Sequence, residues 1–270
     1  MKQFLLPCLC LLFGTNSLLG GLPQLSEKPW IGWFAGYEER EYRFGIMADG
    51  IAALIPLNDR SDEPVSQKHW IEIEPVIEEV LAGGRVVTKQ ADDTAWEGLT
   101  EPTEEGGKMS YRGKVTGGAT FEVHFETERG RILAGGRILD KGDLTEHPIR
   151  LSIRVKVPNV YQFIEDEEKV EDLADGDRIR LVKADGRKES LDAWEPVWAD
   201  KDISDPGVRS ARIDLEGYDG RKIELEAGDK GLFEFWNGEK RPLYKGFTFG
   251  WKPDPAKDPE GKARFVLEFG

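Results

Sequence analysis

From residue 40 onward the chain alternates apolar and polar side chains with a period of two, and this limits its fold more than any other feature. Ile149, Leu151, Ile153, Val155 and Val157 are separated by Arg150, Ser152, Arg154 and Lys156. A pleated strand sends successive side chains to opposite faces, so this segment has one apolar face and one wet one. Phe121, Val123 and Phe125 alternate with Glu122, His124 and Glu126, and Ile213 and Leu215 with Asp214 and Glu216. One-sided strands favour antiparallel sheets.

Strand segments fall at 42–48, 51–57, 70–81, 85–89, 108–116, 119–128, 131–139, 149–158, 178–184, 209–216, 222–227, 231–236, 243–251 and 263–269. Helical spacing is confined to 163–174, where Phe163, Val170 and Leu173 line a short amphipathic segment ending near Gly176. The expected fold is all-β: a large antiparallel β-sandwich of about 12–14 strands in two sheets, with at most one short helix. Residues 21–270 are expected to form one such domain. The alternative is two packed sandwiches split near the acidic stretch 165–177.

Parity of the apolar residues predicts the hairpins. Around Asp49-Gly50 a two-residue loop pairs Ile46 with Ala53 and Phe44 with Ile55. Thr116-Gly117-Gly118 as a three-residue loop pairs Tyr111 with Val123. Tyr218-Asp219-Gly220 likewise pairs Leu215 with Ile223.

Residues 1–20 have the make-up of a cleaved export signal: Lys2, an apolar stretch from Phe4 to Phe13, and the small or polar Thr15, Asn16 and Ser17 at a cleavage position. Ten apolar residues make only ~15 Å of helix, half of a ~30 Å hydrocarbon core, so a membrane span is not expected. Cys8 and Cys10, the two cysteines of the chain, both lie in this segment. Its removal leaves no thiol for disulfides, zinc or nucleophilic catalysis. The balance of 51 Asp and Glu against 37 Lys and Arg, with no basic stripe along the sequence, argues against nucleic acid as a partner.

No phosphate loop, nucleophile elbow, zinc-protease or dinucleotide motif occurs, and no cofactor is called for. His124, beside Glu122 and Glu126, offers the geometry of a metal site but is expected to sit on a solvated strand face. The acidic run from Glu165 to Asp177 has carboxylates enough for calcium, though its spacing matches no EF-hand and an exposed loop or fraying helix accounts for it. Tryptophans in long loops are the most suggestive chemistry. Trp96 lies in 90–107, and Trp194 and Trp198 in 190–208 beside Glu195. An indole stacks on a sugar ring while carboxylates accept its hydroxyls, so Trp96, Trp194, Glu195 and Trp198 form the candidate ligand site. The expected function is an exported, non-catalytic binding module with an extracellular or envelope glycan as ligand. The alternatives are a carbohydrate-active hydrolase or lyase using paired carboxylates, and a structural or protein-interaction domain of the envelope.

Overall fold

The computed structural model describes residues 33–47, 50–58, 67–89, 103–105, 108–161, 164–194, 205–236 and 246–270. Every pairing among them is antiparallel. One run of strands has the spatial order β6 (Thr103–Glu105), β7 (Lys108–Lys114), β8 (Thr120–Glu128), β9 (Arg131–Asp140), β17 (Phe265–Phe269), β14 (Lys222–Glu226), β13 (Val208–Asp214), β11 (Arg178–Lys183) and β12 (Lys188–Asp192). The other runs β1 (Trp33–Glu38), β2 (Tyr42–Met47), β3 (Ala52–Pro56), β4 (Ile71–Val80), β10 (Ile149–Val157), β16 (Phe247–Pro253) and β15 (Gly231–Trp236). Strand β5 (Val86–Lys89) pairs with the far half of β4.

Among the described residues a single pair, Val208 opposite Phe233, joins the two runs. The all-β, antiparallel expectation holds, but the two separate sheets are replaced by one hydrogen-bonded sheet of seventeen strands that curls back on itself. Its two arms face each other across the core. Phe44 of β2 lies 5.2 Å from Phe125 of β8, and Phe265 of β17 lies 5.5 Å from Phe233 and 5.4 Å from Trp251. One apolar cluster extends from Tyr42 to Phe269 and takes residues from both sides of the stretch 165–177. That stretch contains the helix α1 (Glu167–Ala174), which starts where the Asp166 side chain accepts the Lys169 N–H and buries Val170 and Ala174. Among the described residues no helix is long and apolar enough to cross a membrane.

Two of the three hairpin registers differ from expectation. The β2–β3 loop has three residues rather than two: Met47 N–H bonds Ile51 C=O, Gly50 takes φ 81°, and Ile46 faces Ala52 while Phe44 faces Leu54. The Ala-Ala-Leu-Ile-Pro run of β3 is buried on both faces, so it carries no polar parity to set the register. Strand β13 stops two residues early and pairs Ile213, not Leu215, with Ile223. Residues Glu216–Tyr218 form a 3-10 turn instead, because Tyr218 is drawn inward, its hydroxyl donating to His69 C=O at 3.1 Å. A shift of two residues keeps the apolar side chains on the same face. The Gly117-Gly118 hairpin pairs Tyr111 with Val123 as expected.

Trp251 is fully buried where the arms meet, and its indole N–H donates to Ala227 C=O at 2.9 Å. Gly231 lies against it; a Cβ there would come within 2.5 Å of the indole nitrogen. Replacing Trp251 with Ala is expected to lower unfolding stability by about 3–5 kcal/mol, measured by urea denaturation, since it opens a large cavity and strips Ala227 C=O of its donor.

Candidate functional site

With the apolar rows turned inward, the alternate residues of each strand form the outer surface. On the arm that contains β9, β17, β14, β13, β11 and β12, that surface is an open cleft of about 700 Å³. Ladder register lines up one residue from each strand across its floor: Ser190, Arg180, Arg212, Glu224, Glu268 and Arg131. The Arg180 and Arg212 guanidiniums both lean on Asp214, Arg212 at 3.4 Å, and Arg212 also approaches Glu224 at 3.5 Å. Lys188, Arg209 and Arg131 line the same cleft and make no ion pair among the described residues. Glu189, at the edge, is held by the buried Lys183 ammonium at 2.8 Å. The sequence shows no basic stripe, but the sheet brings together Arg180, Lys188, Arg209 and Arg212 from three strands.

A second charged cluster lies on the outer face of the other arm. Glu78, 3% exposed, meets Arg150 at 2.8 Å, Arg154 at 3.2 Å and Lys252 at 3.3 Å. Arg154 also donates to Thr88 at 2.7 Å and lies 5.6 Å from the Trp236 ring centre. Burial alone would raise the Glu78 carboxyl, but Lys252, Arg150 and Arg154 together hold it below its ordinary value.

Trp194 is not a ligand platform. It is 7% exposed, lies 5.8 Å from both Tyr161 and Phe247, and gives its indole N–H to Asp177 at 2.8 Å. The same carboxylate accepts the Tyr161 hydroxyl at 3.0 Å and the Glu216 N–H at 2.7 Å. Burial pushes Asp177 upward against the pull of these donors. Asp177, the last residue of the acidic run, is thus a buried tie between the helix and the 3-10 turn, not part of an exposed loop. Trp96, Glu195 and Trp198 lie outside the described residues.

His124 points to the polar side of β8 as expected, but the surface there is partly covered. It lies over Gly135, and the chain near Ala263 packs on the same spot: a Cβ on Gly135 would come within 2.2 Å of Ala263 C=O and 2.7 Å of His124 Nε2. Burial, reinforced by Arg264, lowers the His124 pKa. Among the described residues no group of three or more His, Cys, Asp or Glu side chains is placed to hold a metal ion.

The Glu78 cluster generates a pH prediction. Because its folded-state pKa is depressed, Glu78 adds stability above the ordinary value of 4.5 that is lost as pH falls through the folded pKa. Glu78→Gln is expected to cost about 3 kcal/mol at neutral pH, since Arg154 loses its anion and Arg150 and Lys252 are left with the more exposed Glu234 alone, and to flatten the acid limb of the stability curve, both read by urea midpoints between pH 7 and pH 3. No protein-family model and no curated protein matches this chain.

Proposed function

We propose that the protein is an exported, non-catalytic binding module whose ligand is an extracellular or envelope glycan held in the cleft over β9, β17, β14, β13, β11 and β12. The observation that carries this reading is the cleft floor, in which charged and hydroxyl side chains from six strands stand in one register-aligned row. A sugar chain offers hydroxyls at regular intervals, and guanidinium donors and carboxylate acceptors set side by side along a stiff surface match it at low ordering cost. Binding of this kind needs no cofactor. Export rests on the make-up of residues 1–20.

A hydrolytic reading draws on Glu224 and Glu268, which are direct cross-strand neighbours. Such neighbours have Cβ atoms ~4.5–5.5 Å apart but project the same way from the sheet, whereas glycoside hydrolysis places its two carboxyl groups on either side of the scissile bond. The geometry therefore favours binding over cleavage.

A glycan array probed with the chain lacking residues 1–20 is expected to show ligands whose affinity falls at least tenfold in Ser210→Trp, which puts an indole in the middle of the cleft. It should be unchanged in Trp194→Phe, which alters only the core. Absence of any glycan ligand, or binding indifferent to Ser210→Trp, contradicts the proposal. Export is checked separately by intact mass: the chain recovered outside the cytoplasm should lack both Cys8 and Cys10.

A further inference from the structure

We infer that the glycan bound in this cleft pairs an acidic residue with a neutral one, the acidic group lying over β11 and β13 and the neutral residue over β14 and β17. This rests on the glycan reading above and specifies its ligand.

The inference comes from how charge is distributed along the floor. Arg180 stands directly opposite Arg212, and Glu224 directly opposite Glu268. Like charges in direct cross-strand register destabilise a sheet, and a face shaped only for solubility alternates its signs. Here the row reads Arg180, Arg212, Glu224, Glu268, with Arg131 beyond Glu268, so like charges stand together at its centre. In the basic half, Arg180 and Arg212 share Asp214, with Glu224 of the next strand 3.5 Å from Arg212, while Lys188 and Arg209 have no ion pair among the described residues. Glu189 does not offset them, because it is engaged by the buried Lys183. Surplus positive charge thus collects at one place in a chain whose formal net charge is −14. Paired guanidiniums present the forked donors that carboxylate and sulfate groups take.

The other half imposes the opposite demand. Glu224, Glu226 and Glu268 outnumber Arg131 there, accept hydroxyl protons and repel a second anion. Neighbouring strands are ~4.8 Å apart, about one sugar residue, so an acidic residue over β13 sets its neutral neighbour over β14. A glycan charged at every residue would set an anion against Glu224 and Glu268. One that is neutral throughout would leave the arginines unused.

Isothermal titration of the chain lacking residues 1–20 with four probes tests this: a hyaluronan octasaccharide, in which uronate alternates with a neutral amide sugar; a keratan sulfate oligosaccharide, in which the charge is sulfate; oligogalacturonate, charged at every residue; and a neutral cello-oligosaccharide. At least one of the first two is expected to bind tenfold or more tighter than both of the others, and which one does so identifies the anionic group. The double variant Arg180→Gln, Arg212→Gln should abolish that preference, and Glu268→Gln should raise the affinity for oligogalacturonate. Arg180 and Arg212 are 54% and 44% exposed, so both variants should fold, with an unchanged melting temperature as the control. Equal or tighter binding of the cello-oligosaccharide overturns this inference and leaves the glycan reading standing. Equal or tighter binding of oligogalacturonate, or an Arg180, Arg212 double variant that keeps the preference, also overturns it. If neither these probes nor any glycan on the array binds, the inference and the reading fall together.

Discussion

Where the sheet turns back on itself, the indole of Trp251 touches Phe265 from the opposite arm, packs beside Gly231, and gives its N–H to the carbonyl of Ala227. The single backbone bridge between the arms, Val208 to Phe233, lies one strand away. One bridging pair is a weak hinge by itself. The direction of the bend is therefore set by apolar contact: an indole and two phenyl rings interlock only if the two arms close with their greasy rows inward. Everything on the outer surfaces, including the cleft, follows from that closure.

The strands were legible because each carries its own record of which side faces the core. In β8 and β10 the apolar row is buried, save for the partly exposed Ile149 at the start of β10, and their bounds agree with the sequence pattern to within a residue. Three strands left no such record. In β12, Lys-Glu-Ser-Leu-Asp, Leu191 is the lone apolar residue; β6 is three polar residues; and β1 mixes its aromatics without alternation. Strand β12 forms because β11 offers it an unpaired edge, a tertiary cause that no local pattern reveals. The β2–β3 register was lost for the converse reason, since a strand buried on both faces has no polar side to count from.

The site was harder still. Its basic and acidic residues are spaced along the chain from Arg131 to Glu268, and only the pairing of β14 with β17 and of β17 with β9 makes them neighbours. A signal did exist. The outward residues of β11, β13 and β14 are almost wholly charged, and Glu224 and Glu226 already shared a face in the sequence. What could not be read was the strand order. Trp194 belongs to the core for a related reason: Asp177, seventeen residues away, supplies a buried acceptor for the indole N–H, which offsets the cost of burying the ring.

The two buried carboxylates and the open row differ in what their charges are for. Asp177 has three donors and Glu78 has three cations, so each is satisfied within the chain and neither has capacity left for a ligand. In the cleft the pairs are exposed, and an exposed ion pair contributes only about 0–1 kcal/mol, so no single arginine there could hold a ligand. Affinity on such a floor has to accumulate from many weak contacts made together. That favours a ligand long enough to span several strands and regular enough to meet each in turn, and it works against a compact metabolite, which would touch two strands and leave the remaining charges to water.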